Sequence, residues 1–155
     1  MRLILTAAAL ASLAASPALA LADPGGWKTS CDASGRCTAM LVVSDAQTKK
    51  VAGMIGVQMG KGGSDPMLLA VVPLGVALKP GFRAVIGTKA FDAPYDTCYP
   101  DGCRAVAPIA AADLDTWLDA QTISLRFFPS TSERPIGLEA PTAGLRAALD
   151  AATAP

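Results

Sequence analysis

The chain predicts a mainly β fold, an antiparallel sandwich or partly closed barrel with a short internal helix, a C-terminal helix and local disulfides. Three observations carry that prediction. Short apolar runs rich in Val, Ile, Leu and Phe recur between Gly, Pro, Asp and Ser turn signals. A spacing of three and four between apolar residues occurs only in two stretches of the C-terminal third. Two close cysteine pairs, Cys31 with Cys37 and Cys98 with Cys103, flank turn-forming residues.

Taken in order, Trp27 to Cys31 predicts a short strand, and Asp32-Ala33-Ser34-Gly35-Arg36 turns it back into an apolar strand from Thr38 to Ser44. Asp45 to Lys50 makes the next turn. Val51 to Met59 reads as a strand in which Gly53 and Gly56 mark a bulge or a close backbone approach. Gly60 to Pro66 reads as an exposed loop; Gly62 stands where a phosphate loop needs Ser or Thr. Met67 to Val72 is a continuous apolar run, the pattern of a strand covered on both faces. Pro73 to Gly81 cannot be helical, and its apolar content predicts that it packs on the core. Phe82 to Ile86 and Lys89 to Phe91 are short strands. Cys98-Tyr99-Pro100-Asp101-Gly102-Cys103 is a hairpin turn with a four-residue loop, Tyr99 to Gly102, left by a strand from Arg104 to Ile109.

Leu114, Trp117 and Leu118 then fall on one helical face between Ala111 and Ala120, with Asp113, Asp115 and Asp119 facing away. Thr122 to Phe128 alternates as a strand, and Ile136 to Leu138 is a short one. A final helix starts near Thr142 as N-cap, with Leu145, Ala148, Leu149 and Ala152 on one side. So short a helix must dock on the sheet to exist.

The first 22 residues, with Arg2 as their sole charge, a Leu and Ala run and small residues before Ala20 and Ala22, read as a signal peptide cleaved after one of those two alanines. One exported β-rich domain over residues 23–155 is the expectation, with no transmembrane segment in the mature chain. Without Arg2 the chain holds 12 basic and 13 acidic residues, a net charge of −1. That balance points to neither nucleic acid nor an acidic membrane surface as partner.

Four cysteines in an exported chain allow three pairings. Chain entropy favours the crossed ones, since a longer loop gains more on closure. Geometry favours the local ones, because cysteines flanking a tight turn already lie near disulfide separation and short loops close first. The expected pairs are therefore Cys31 with Cys37 and Cys98 with Cys103. Their spacing does not match the two-residue spacing of a zinc site, and no metal or cofactor is expected.

The chain has no histidine and no asparagine. The most frequent general base and metal ligand are thus missing, together with Ser-His-Asp and Cys-His arrangements, and paired cysteines leave no thiol nucleophile. Asp115 and Asp119 share a helix face with no third ligand in view, which is the pattern of a solvated face. No catalytic residues are assigned. Tyr99 and Asp101, exposed in the disulfide-clipped turn, are the candidates for partner contact.

Several features recur here in a fixed order: Trp27 before Cys31 and Cys37, the Pro73-Leu74-Gly75-Val76-Ala77-Leu78 segment, the Cys98 to Gly102-Cys103 turn, and Gly144-Leu145 before an Ala-Leu helix. In this order they resemble the invasion-associated locus B family of exported alphaproteobacterial proteins. The resemblance covers nearly all of the mature chain. It implies a non-enzymatic, β-rich protein that is periplasmic, outer-membrane-associated or secreted, with some members linked to invasion of host red cells. The function expected is a binding or interaction module for an envelope or host protein, of undetermined oligomeric state. The alternatives are an envelope stress or structural protein without a dedicated partner, and an inhibitor of an exported hydrolase.

Overall fold

A computed structural model describes residues 26–60 and 66–153. The predicted signal peptide and the Lys61 to Asp65 part of the predicted loop lie outside the described residues. Ten strands and two helices follow one another: β1 (Lys28–Cys31), β2 (Cys37–Ser44), β3 (Val51–Met59), β4 (Met67–Val72), β5 (Phe82–Ile86), β6 (Lys89–Ala93), β7 (Tyr95–Tyr99), β8 (Gly102–Pro108), α1 (Ala111–Asp119), β9 (Thr122–Phe127), β10 (Ile136–Pro141) and α2 (Leu145–Thr153). They form a six-stranded sheet, in the order β1-β2-β3-β4-β8-β7, and a four-stranded sheet, in the order β10-β9-β5-β6. Every pairing is antiparallel. The architecture is the predicted sandwich and not a closed barrel.

The core follows from strand alternation, which sends every second side chain to the same face. Leu41, Ile55, Leu68 and Ala105 of the large sheet meet Phe82, Ile123, Leu125 and Leu138 of the small one in a single buried cluster. The small sheet is two strands narrower, and α2 fills the difference. Its Leu145, Ala148, Leu149 and Ala152 are buried against the inner side of β1 to β3. The Thr29 hydroxyl donates to the Ala148 carbonyl at 2.6 Å, and Trp27 Nε1 donates to the Pro141 carbonyl at 2.8 Å. Helix α1 carries the chain from one sheet to the other, with Trp117 fully buried and tilted against Phe91 at 5.1 Å between ring centroids.

Both disulfides are the expected local pairs, Cys31–Cys37 and Cys98–Cys103. In each, the two cysteines stand directly opposite on neighbouring strands. Each disulfide also ties an edge strand to its inner neighbour, β1 to β2 and β7 to β8, so both free edges of the large sheet are clipped. Cys37 lies opposite Met59 at one end of the strands and Cys103 opposite Val72 at the other, which puts the clips at diagonal corners.

Several local expectations need correction. The turn between the second cysteine pair is shorter than the four-residue loop: Tyr99 pairs with Gly102, leaving Pro100 and Asp101 as the turn. Loops of two and of four residues both place Cys98 opposite Cys103, so the disulfide is unaffected. Gly102 has φ +141°, and a Cβ there would lie 2.5 Å from the Val72 carbonyl oxygen, so glycine is required. Thr142 does not cap α2. It is buried, its hydroxyl donates to the Ala120 carbonyl, and Gly144, at φ +90°, precedes the helix. In the segment after β4, Val76 is buried, but Leu74 and Leu78 are each 56 % exposed and do not pack on the core.

The Asp32 turn yields a pH prediction. The Asp32 carboxylate accepts from the Ser34 hydroxyl and from the amides of Ser34 and Arg36, and the Arg36 side chain completes the set. The Ser34 hydroxyl bond first, then the Arg36 amide, hold its pKa down to about 2 from an ordinary 3.8. A depressed carboxylate stabilises fully above its unfolded pKa and loses that contribution as pH falls through its folded one. Melting curves of the natural chain should therefore decline between pH 4 and pH 2 by an increment that Asp32→Asn lacks; parallel declines would refute this.

Candidate functional site

Strands β2, β3 and β4 read CTAMLVVS, VAGMIGVQM and MLLAVV, apolar on both alternations. An antiparallel sheet with one wet face ordinarily alternates apolar with polar. Here the inner alternation is covered by the small sheet and α2, while among the described residues nothing covers the outer one. The apolar run at Met67–Val72 predicts cover on both faces, and the fold supplies it on one.

The outer face is laid out by strand register. Its middle row runs Lys28, Met40, Gly56, Leu69, Val106 across β1, β2, β3, β4 and β8. The next row is Val42, Met54, Val71 and Arg104, and the third is Thr38, Gln58, Met67 and Pro108. Gly56, between Met40 and Leu69, has no side chain and forms the floor of a depression of about 210 Å³ walled by Met40, Met54, Leu69, Val71 and Arg104. The notch is narrow at its floor: a Cβ at Gly56 would lie 3.1 Å from both the Ala39 carbonyl oxygen and Thr38 Cγ2. A second depression, of about 300 Å³, shares Met54 and Val71 with the first and runs on to Val42, Val51 and Pro73. A third, of about 290 Å³, shares Val51 and Pro73 with the second and opens at the end of the sandwich beside Leu74 and Ile136. Val42, Val51 and Leu74, at 53 %, 67 % and 56 % exposed, thus belong to one apolar track and are not scattered surface residues.

The clipped turn stands at the rim of this track. The Arg104 guanidinium lies 4.4 Å from the centre of the Tyr99 ring, and its Nη2 donates to Asp101 Oδ2 at 3.0 Å. Tyr99 is half exposed and Asp101 exposed, and Arg104 joins both to the wall of the first depression. The two residues singled out from the sequence are therefore brought together by a third that sequence reading missed. Its only signal was the three-residue spacing from Asp101. An exposed pair of this kind contributes about 0–1 kcal/mol, so its role is to hold the rim in shape.

Asp119 is engaged by Arg146 at 3.0 Å and Asp113 by Lys89 at 2.5 Å, which makes the acidic side of α1 part of its docking. All four cysteines are in disulfides. Among the described residues no group of three His, Cys, Asp or Glu side chains is placed to hold a metal ion, and no helix is long and apolar enough to cross a membrane. What the outer face offers a partner is apolar area, one notch and one aromatic-cation corner.

Comparison with known proteins agrees with the fold and the ordered motifs. The chain is similar in structure to the crystal structure of invasion associated protein B from Bartonella henselae, with a TM-score of 0.70 and 19 % identity over 83 % of this chain and 92 % of that one. No curated protein matches it in sequence. The family profile described as Invasion associated locus B (IalB) protein matches residues 27–153. That match spans both disulfides, all ten strands and both helices, and on it the chain belongs to the invasion associated locus B family.

Proposed function

We propose that this protein is an exported, non-catalytic interaction module of the bacterial envelope, and that the outer face of its six-stranded sheet is the binding surface. The single observation that carries the reading is the apolar outer alternation of β2 to β4, which the chain's own second layer leaves uncovered. Tyr99 and Asp101 lie at the rim as contact residues. Two disulfides and membership of an exported family support a periplasmic or outer-membrane-associated location, since paired cysteines persist in oxidising compartments. Bartonella henselae invasion associated protein B is tied to invasion by its name, which makes a host protein, beside an envelope one, a partner class worth testing.

The test is site-specific photocrosslinking in intact cells, with the reactive residue at Val42 on the outer face or at Arg126 on the exposed side of β9. A discrete adduct from position 42 and none from position 126 is expected. Adducts of equal yield from both sides would overturn the reading.

A further inference from the structure

We infer that the occupant of the outer face is a second copy of this chain, packed face to face about a two-fold axis that runs parallel to the strands between β3 and β4. The inference rests on the reading of this face as an interaction surface and names its partner.

The six strands divide three and three at the β3–β4 boundary. Rotation about an axis along that boundary lays β3 on the partner's β4, β2 on its β8 and β1 on its β7. Gly56 and Leu69 are register partners across the boundary. The rotation therefore places the partner's Leu69 over Gly56, the one position in the middle row without a side chain, and the reciprocal contact forms on the other side of the axis. In the same way Met54 meets the partner's Val71, and Met40 meets the partner's Val106. Stacked sheets lie about 10 Å apart and within about 30° of parallel. Positions beside the axis, Gly56 and Leu69 above all, are displaced least by that angle.

Charge selects the same axis. Lys28, exposed in the middle row of β1, is carried to the partner's β7 edge at the level of Pro94, and Asp96, exposed at the irregularity between Tyr95 and Thr97, stands one to two residues further along that edge, within reach of a lysine side chain. Among the described residues neither makes an ion pair within its own chain. The other in-plane two-fold, perpendicular to the strands along the middle row, would set Lys28 on Lys28, Leu69 on Leu69 and an empty Gly56 on Gly56. That arrangement repels at the edge, crowds at one central position and leaves a void at the next. Six strands about 4.8 Å apart and about 20 Å long give a footprint on the order of 600 Å² per copy. With the flanking turns added, this approaches the roughly 800 Å² per partner of a stable interface.

The experiment is sedimentation equilibrium on the exported chain, disulfides intact, up to about 0.1 mM. A dimer is expected, and Leu69→Asp should weaken it at least about 100-fold, the effect of an unpaired charge in a desolvated centre. Lys28→Asp alone and Asp96→Lys alone should each weaken it about 5-fold, and the two together should restore the natural constant, which an interface elsewhere would not show. If Leu69→Asp loses its fold by circular dichroism, the charge-exchange pair, at exposed positions, still decides. A natural chain that stays monomeric, or a dimer indifferent to Leu69→Asp and to charge exchange, overturns the inference. A monomer whose Val42 crosslinker still captures a different protein also overturns it and leaves the interaction reading intact; a monomer that captures nothing ends both.

Discussion

Replacing Trp117 by Ala is expected to destabilise the protein by about 3–5 kcal/mol, the range for removing a fully buried aromatic ring. Trp117 heads the fully buried side chains by volume, at 0 % exposure. It sits in a nine-residue helix whose N-cap is Ala110, with no side-chain hydrogen bond to the first turn and no basic residue in the last. A helix of that length has little stability of its own, so α1 depends on what its ring docks against. Phe91, in a tilted arrangement, contributes about 0.5–1.5 kcal/mol beyond area burial. Because α1 links the two sheets, loosening it frees the connection between β8 of the large sheet and β9 of the small one. Guanidinium denaturation should show a lower midpoint with an unchanged slope, and a loss below about 1 kcal/mol would show that the ring does not hold the helix.

Removing both disulfides by Cys→Ala replacement is expected to destabilise by about 4 kcal/mol, or about 2 for each pair, from the loop entropy returned to the unfolded chain. That is a large part of the 5–15 kcal/mol typical of a domain. The effect should be local in the folded state. Amides of β1 and β7 should exchange faster while those of β3 and β4, at the sheet centre, keep their protection until global unfolding. Equal denaturation midpoints with and without reductant, once free thiols have been counted, would show that the clips do not bear on stability.

The interior strands were legible because their constraint is local. In β9, Ile123, Leu125 and Phe127 alternate with polar neighbours, and all three are buried. Trp117 and Leu145 announced their faces by helical spacing in the same way. Strand β7 was not legible, since an edge strand with a register irregularity near Asp96 pairs on one side only and need not alternate. Thr142 was misread because a threonine three residues before a helical run reads as a cap, whereas its hydroxyl is taken by Ala120, 22 positions back in sequence. The apolar run of β4 predicts cover on both faces, and the described fold covers one; which face is left open depends on where α2 and the small sheet dock, contacts far away in sequence. Arg104 escaped notice for the same reason, its stacking on Tyr99 arising only once β7 and β8 pair. The family resemblance survived all of this, because it rested on the order of cysteines, prolines and glycines that set turns.

The diagonal clips have a mechanical meaning. Tension applied to the chain ahead of β1 reaches Cys31 and crosses directly to Cys37 and β2, so the Asp32 to Arg36 turn carries no load and cannot be straightened. At the opposite corner, force arriving through β7 crosses from Cys98 to Cys103 and passes over the Tyr99 to Gly102 turn. A molecule drawn out from its ends therefore lengthens by less than its residue count would allow, and the two turns closed by disulfides stay as closed links after the rest of the sheet has come apart.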